Sequence, residues 1–579
     1  MKYDFTSIPD RSGCGSSKWN AMPDAGTERV PMSTADMEFP TAPEIAEALK
    51  NTIDTTILGY TDPTDAYYTA VCGWMQRRHN FTVTPQQIVL TPGVVYALGL
   101  LIDALSNPGD SVIILTPVYY PFDMAVLAKE RNIVYSELKQ TGSRYTIDYA
   151  DLEKKASHKK ARLLLFCNPH NPVGRVWDKD ELNAVVDICA RNGVFIIDDE
   201  IHHDLIMPGY QHTVMASLSE TAARICAVCT APSKTFNLAG MQCSNIIIQD
   251  PDACKKVRVA AMLTLSTHLN ILAYTACQAA YNHCENWLEE LIQTVSDNAK
   301  YIKDFMAEHF PEITVFPLEG TYLLWVDCRA LGMTHYELEK LMKEEAGLWL
   351  DEGYIFGPAG RGFERFNIAC SPVTVRRSME RFKAAVEKQR AIWETEGKPY
   401  HKTLAAGDKL DGFIYDTPSA TALNLAKTIQ KPTLIIFSRY YSCALCKLLI
   451  ARITASYPAI RLAGYDVKVV LQSTQATLEK TKYPFDIICD PKAKLYDRYN
   501  VFEADSDLSM VAASPRMIKL MGGIRKMAAS MYDEQKSEGR SRQLPAVFLI
   551  DIDMTVKYAY YGKTVDDIPE ILKLIVNKK

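Results

Sequence analysis

Ser233-Lys234-Thr235-Phe236-Asn237 follows an apolar run, Ile225 to Thr230, and puts a lysine where a buried strand ends. An amine desolvated in a pocket sheds its proton and becomes a nucleophile and a base. Asp198, Asp199 and Glu200 close another such run. Buried carboxylates are costly without a partner, so these acids call for one. Cys167 to Gly174 carries two Asn-Pro pairs, which force a turn directly after a strand and leave Asn171 free to donate a hydrogen bond. Pro117 to Pro121 holds two tyrosines that either pack or stack on a planar ring. Thr91 to Tyr96 turns a strand into a helix. Gly93 allows the tight turn, and the helix start offers N–H groups to an anion.

Pyridoxal phosphate asks for these features together: an anion cradle, a ring stack, a donor to its phenolic oxygen, a carboxylate on its pyridine nitrogen and a Schiff-base lysine. The elements that position them alternate between short apolar runs (Ser111–Thr116, Leu163–Cys167, Val194–Asp198, Arg224–Cys229, Asn245–Ile248) and amphipathic stretches such as Lys179–Asn192. That alternation predicts an α/β layer with a mainly parallel sheet, whose ligand lies at the strand ends. Longer helical patterns around a few strands, about 285 to 390, predict a smaller α+β domain.

Further motifs join these: Lys18-Trp19, Ala35 to Pro40, Gly59-Tyr60-Thr61, Asp199 to His202, Glu319 to Tyr322 and Arg365-Phe366-Asn367. In this order they resemble the fold-type I pyridoxal-phosphate enzymes, and within them the MalY/PatB-type cystathionine β-lyases, from about Tyr3 to Trp393. The resemblance implies that Lys234 forms the internal aldimine and later moves the α-proton. It implies that Asp199, rather than Asp198, pairs with the pyridine nitrogen. Asn171 bonds the phenolic oxygen, and Tyr119 stacks on the ring. The Val94 and Val95 N–H groups and the Ser233 hydroxyl hold the phosphate. Tyr60 reaches the phosphate of a neighbouring subunit, so a homodimer is implied, and Arg365 clamps the carboxylate of an amino-acid substrate. His202 stands behind the cofactor contacts. His203 is expected at the surface, and no HExxH-type spacing points to metal. The implied reaction is α,β-elimination from cystathionine or another S-substituted cysteine, giving a thiol, pyruvate and ammonia. Transamination needs the same core residues, and a regulatory protein that keeps its cofactor is the alternative of another class.

Cys443-Ala444-Leu445-Cys446 follows the apolar run Pro432 to Phe437 and opens a helix, Lys447 to Ser456. A thiol at a helix start has its thiolate stabilised, and Cys-x-x-Cys in a β-α setting reads as a thioredoxin-like redox pair. With Gln543-Leu544-Pro545 before a late strand, this segment resembles redoxins related to alkyl hydroperoxide reductase. That likeness implies a cis Leu544–Pro545 bond. Those peroxidases carry threonine three residues before the reactive cysteine. Tyr440 stands there here, which favours dithiol–disulfide exchange. No second Cys pair completes a zinc site.

The 579 residues exceed one core. The expected division is 1–395 for the first domain (a large lobe, about 50–285, and a small lobe, 1–49 plus 286–395), a linker at 396–410, and a thioredoxin-like α/β domain at 411–579. A net charge of −5 suits neither nucleic acid nor an anionic membrane. The N-terminus has no apolar signal region, and fifteen scattered cysteines suit a reducing cytoplasm.

Overall fold

The computed structural model describes residues 3–22, 29–264, 268–398, 401–479, 481–504, 539–540 and 542–576. It divides into two compact units, Met1–Ala391 and Ile392–Lys579.

In the first unit seven strands form one sheet: β1 Ile88–Thr91, β2 Ser111–Thr116, β3 Asn132–Glu137, β4 Ala161–Cys167, β5 Phe195–Asp199, β6 Cys226–Thr230 and β7 Ser244–Ile248, in the order β1-β7-β6-β5-β4-β2-β3. All neighbours are parallel except β7, which runs antiparallel to β1 and β6. Val112 to Leu115 and Leu163 to Phe166 are buried on both faces, which is why these strands read as unbroken apolar runs. The register sets the chemistry: Cys167 lies opposite Asp199, and Asp199 opposite Cys229. The Asn-Pro turn, the acidic pair and the lysine segment therefore leave the sheet side by side.

Helix α1, Val94–Leu105, starts after Gly93, whose φ of 150° favours glycine. Helix α2, Lys179–Asn192, is opened by an Asp178–Glu181 capping box and ended by Gly193 at φ 66°. Helix α3, Pro232–Thr235, carries Lys234.

A second sheet holds β8 Thr314–Val315, β9 Leu323–Asp327, β10 Asp351–Glu352 and β11 Phe363–Asn367, ordered β8-β9-β11-β10 and antiparallel throughout. It lies between α4, Glu285–His309, and α5, Pro372–Glu396, in the chain. The N-terminal segment also pairs in this region, Val30 with Leu348 and Pro31 with Trp349.

The second unit is built on β12 Ile414–Thr417, β13 Ala420–Asn424, β14 Thr433–Phe437, β15 Asp466–Leu471, β16 Asp486–Cys489, β17 Ala546–Ile550 and β18 Val556–Tyr561, with helix α6, Ala444–Leu462. The sheet order is β13-β12-β16-β15-β14-β17-β18. It is mixed: β14, β15 and β16 are parallel, while β17 is antiparallel to β14 and β18. One expectation changes here, while Leu404 and Leu410, within the expected linker, are buried in this unit's core. The Leu544–Pro545 bond is trans, with Gln543 beside it held by the Val501 and Phe502 carbonyls.

Candidate active site

Lys234 stands in the single turn of α3, where Pro232 starts a helix directly after β6. Its Nζ donates to the Ala35 carbonyl at 2.6 Å. Burial pushes its pKa down to about 8, against the pull of Asp36. Ala35 belongs to a strap, residues 33–38, tied on two sides. Met37 N–H donates to Asn237 Oδ1 at 3.0 Å, and Asn237 Nδ2 donates back to the Met37 carbonyl at 3.1 Å. From β11, Asn367 Nδ2 donates to the Thr34 and Asp36 carbonyls at 2.6 and 2.8 Å. Lys18 Nζ donates to the Asp36 carbonyl at 2.9 Å and pairs with Glu38 at 3.0 Å.

Asp199 ends β5 in a buried position, its Oδ1 accepting from Ile201 N–H at 3.1 Å. Burial raises its pKa to about 7, opposed by that hydrogen bond and by the Lys234 charge. Strand alternation sends Asp198 the other way. Asp198 meets Asn168 Nδ2 at 3.4 Å, and burial together with the Glu200 charge keeps its carboxyl protonated well above the usual range.

Asn171 Oδ1 accepts from Arg365 Nη1 at 2.8 Å, and its main-chain carbonyl accepts from Tyr119 N–H at 3.1 Å. The Asn171 side-chain oxygen is thus engaged with a cation, which leaves its amide group as the donor. Arg365 is buried on β11, paired through Nη2 with Asp351 and lying 4.7 Å from the Phe356 ring centroid. Asp351 also accepts from Thr34 N–H at 2.7 Å. Nothing in the sequence singles out Asp351 or Phe356, and the Arg365-Phe366-Asn367 motif by itself gives Asn367 no role.

Tyr119 is partly buried and packs against Tyr120 with centroids 5.6 Å apart. Burial pushes its phenol well up, so it stays neutral. Val94 and Val95 form the first turn of α1, where main-chain N–H groups lack helical acceptors. A Cβ built on Gly93 would meet no atom within 4 Å, so there is room for a group against that turn. Ser233 is partly buried in the first turn of α3. His202 is buried with its ring 5.9 Å from Tyr322, and its Nδ1 has no hydrogen-bond partner among the described residues. Burial, with the Lys234 and Arg365 charges, keeps His202 neutral.

One residue departs from expectation. His203 is 1 % exposed, not at the surface, because the turn after β5 folds it between Asp204 and Glu200. Tyr60 stands fully exposed. Ile57 and Leu58 beside it are 89 % and 60 % exposed. Met262 and Leu263 are also exposed, and His268 Nδ1 lies 3.0 Å from Asp62 Oδ1.

In the second unit Cys443 is the N-cap of α6, and its Sγ accepts from the Arg439 guanidinium at 2.9 Å. A hydrogen bond from Cys446 and the Arg439 charge hold the Cys443 thiol well below its usual range, while Cys446, buried and donating, is pushed up. Arg439 is buried. Sequence reasoning missed it, although it lies four residues before the cysteine.

The residues around Lys234 fit pyridoxal phosphate. A neutralisable amine, a strand-end carboxylate, an amide donor, an open helix start and a buried histidine nitrogen without a partner converge on one set of strand ends. A family model described as aminotransferase class I and II matches residues 27–382, and one described as the AhpC/TSA family matches 406–559. Cystathionine beta-lyase PatB of Bacillus subtilis is 40% identical over 387 residues, 66% of this chain and 100% of that protein. Protein MalY of Escherichia coli is 32% identical, over 64% of this chain and 95% of its own length. The crystal structure of cystalysin from Treponema denticola, which contains pyridoxal 5'-phosphate, aligns with a TM-score of 0.66 at 46% identity, covering 67% of this chain and 100% of that one. The chain belongs to the aminotransferase class I and II family, beside its cystathionine β-lyase members, and carries an AhpC/TSA-type domain after it.

Proposed function

We propose that the first unit is a pyridoxal-phosphate-dependent carbon–sulfur β-lyase that takes L-cystathionine or another S-substituted cysteine to a thiol, pyruvate and ammonia. The observation that carries it is the Lys234 amine, depressed to about 8, at strand ends shared with Asp199, in a chain whose relatives include cystathionine β-lyases. When bound, pyridoxal phosphate withdraws electrons from the substrate's Cα. The chain's own residues do the rest. Lys234 holds the cofactor and then carries the α-proton. Asp199 keeps the pyridine nitrogen protonated. The Asn171 amide donates to the phenolic oxygen, Tyr119 stacks on the ring, and His202 backs it. The Val94 and Val95 N–H groups and the Ser233 hydroxyl take the phosphate. Arg365 receives the substrate carboxylate through two parallel hydrogen bonds, and its pairing with Asp351 keeps the guanidinium aimed before substrate arrives.

The fully exposed Tyr60, flanked by exposed apolar side chains, supports a homodimer in which Tyr60 reaches the phosphate of the other copy. In the second unit, Cys443 beside Arg439 supports thiol–disulfide exchange with Cys443 as nucleophile and Cys446 as resolving thiol. The test is pyruvate release from L-cystathionine. Pyruvate with equimolar thiol from the wild type, and none from Lys234→Ala, is the expected result. Amino transfer to a keto acid without pyruvate would overturn it in favour of an aminotransferase.

A further inference from the structure

The turn after β5 carries a second cluster that the proposed reaction does not use. Asp204 is buried, at 1 % exposure, and receives donors from three regions of the chain. Trp74 Nε1 donates to Oδ1 at 3.0 Å, and His79 Nε2 lies 2.8 Å from the same oxygen. Thr235 Oγ1 donates to Oδ2 at 2.7 Å, and His203 Nε2 lies 3.2 Å from it. Around these stand Glu200, which accepts from Met215 N–H at 3.0 Å and meets His212 Nε2 at 2.9 Å, and the protonated Asp198. A carboxylate taken out of water is retained only if its lone pairs are matched; here Oδ1 meets two side-chain N–H groups, and Oδ2 accepts from the Thr235 hydroxyl beside the His203 charge. Burial pushes the Asp204 carboxyl up, but the His203 charge and its donors hold it well below the usual range.

Thr235 is the residue after Lys234 and the last of α3. A helix of one turn has little rigidity of its own, so its orientation follows from what its side chains grip. Lys234 meets the Ala35 carbonyl on one side, and Thr235 meets Asp204 on the other. Asp204 lies five residues beyond Asp199 in the same segment. We propose that Asp204 is a positioning residue: through the Thr235 hydroxyl it fixes α3 and so sets where the Lys234 amine stands relative to Asp199. This rests on Lys234 being the cofactor lysine.

The experiment uses the full chain stripped of cofactor, titrated with pyridoxal phosphate, for wild type, Thr235→Val, Thr235→Ser and Asp204→Asn. Three quantities are read: the cofactor dissociation constant, the pH midpoint of the bound cofactor's absorbance, and the melting temperature of the cofactor-free protein. Thr235→Val is expected to weaken cofactor binding roughly tenfold, as loss of one buried hydrogen bond implies. It should also move the pH midpoint. Thr235→Ser, which keeps the hydroxyl, should restore both; Thr235→Val also leaves an Asp204 oxygen short of a donor and so melts lower, and the pH midpoint is the readout that a merely structural role would not move. Thr235→Val that binds and titrates as the wild type does, with Asp204→Asn lowering only the melting temperature, overturns the proposal. His79, His203 and Asp204 also offer donor atoms within 4.8 Å of one another. One equivalent of divalent metal in the purified protein, lost in Asp204→Asn, would overturn it too, because an ion rather than the hydroxyl would then organise the cluster. A wild type that binds no cofactor defeats the lyase reading itself.

Discussion

At the scale of single residues, two groups are tuned toward nucleophilicity by opposite electrostatic routes. For Lys234, desolvation penalises the charged form and lowers the pKa to about 8. The amine is neutral above that value, so the cofactor-free protein should capture pyridoxal phosphate at a rate that rises with pH and levels off past about 8. Stopped-flow absorbance checks this, and a rise still continuing toward pH 10 would show an amine in water. For Cys443, burial opposes the charged form, and a hydrogen bond from Cys446 together with the Arg439 charge overcomes it. Iodoacetamide should therefore react with Cys443 at full rate below the ordinary thiol range. Arg439→Met should move the pH dependence of that rate part of the way up, the Cys446 hydrogen bond keeping the rest, whereas Arg439→Lys should keep most of the shift. An unchanged profile in Arg439→Met would leave the Cys446 hydrogen bond as the whole cause.

At the scale of elements, the strap over Lys234 shows how local bonds fix a distant group. Asn237 sits at φ 57°, in the left-handed region that asparagine tolerates, and grips the Met37 main chain twice. Asn237→Ala loses two hydrogen bonds at about 1 kcal/mol each and adds about 1 kcal/mol of backbone strain. It should destabilise the first unit by roughly 2–3 kcal/mol, read from denaturant unfolding. A change under about 0.5 kcal/mol would mean the bonds from Asn367 on β11 and from Lys18 suffice to hold the strap. Such long-range ties were invisible in the sequence, whereas local signals were not. Lys179–Asn192 was legible to the residue, because Asp178 and Glu181 cap it and Gly193 ends it. The strand expected from Arg224 begins at Cys226, because the Ser219 side chain caps a helix, Glu220–Ile225, that runs up to it. The polar stretch 396–410 reads as a linker because composition outweighs two leucines, and only packing reveals that those two are anchors. His203 is misplaced for the same reason: its type suits a surface, and the acids that receive it, Glu200 and Asp204, are recognisable as partners only once the turn is seen.

At the scale of the whole molecule, the site is incomplete if the phosphate contact of Tyr60 comes from another copy. Tyr60 is fully exposed, with Ile57 and Leu58 exposed beside it in the chain, an apolar surface that suits a self-complementary interface. In a two-fold dimer every substitution acts twice. Burying one isoleucine is worth about 1.5–3 kcal/mol, so losing both copies weakens association by roughly 3–6 kcal/mol, or about a hundredfold to ten-thousandfold. An unpaired aspartate there adds to the loss. Ile57→Asp should therefore turn a dimer into a monomer at micromolar concentration in sedimentation velocity. Its fold should survive, because Ile57 at 89 % exposure contributes little to the chain's own core. Cofactor affinity should fall with dissociation and recover as protein concentration rises, which separates a missing partner from a damaged site. Tyr60→Phe should weaken cofactor binding while leaving the dimer intact. A monomeric Ile57→Asp variant that binds pyridoxal phosphate as tightly as the wild type would mean that each chain supplies its own phosphate contacts, with Tyr60 outside the site.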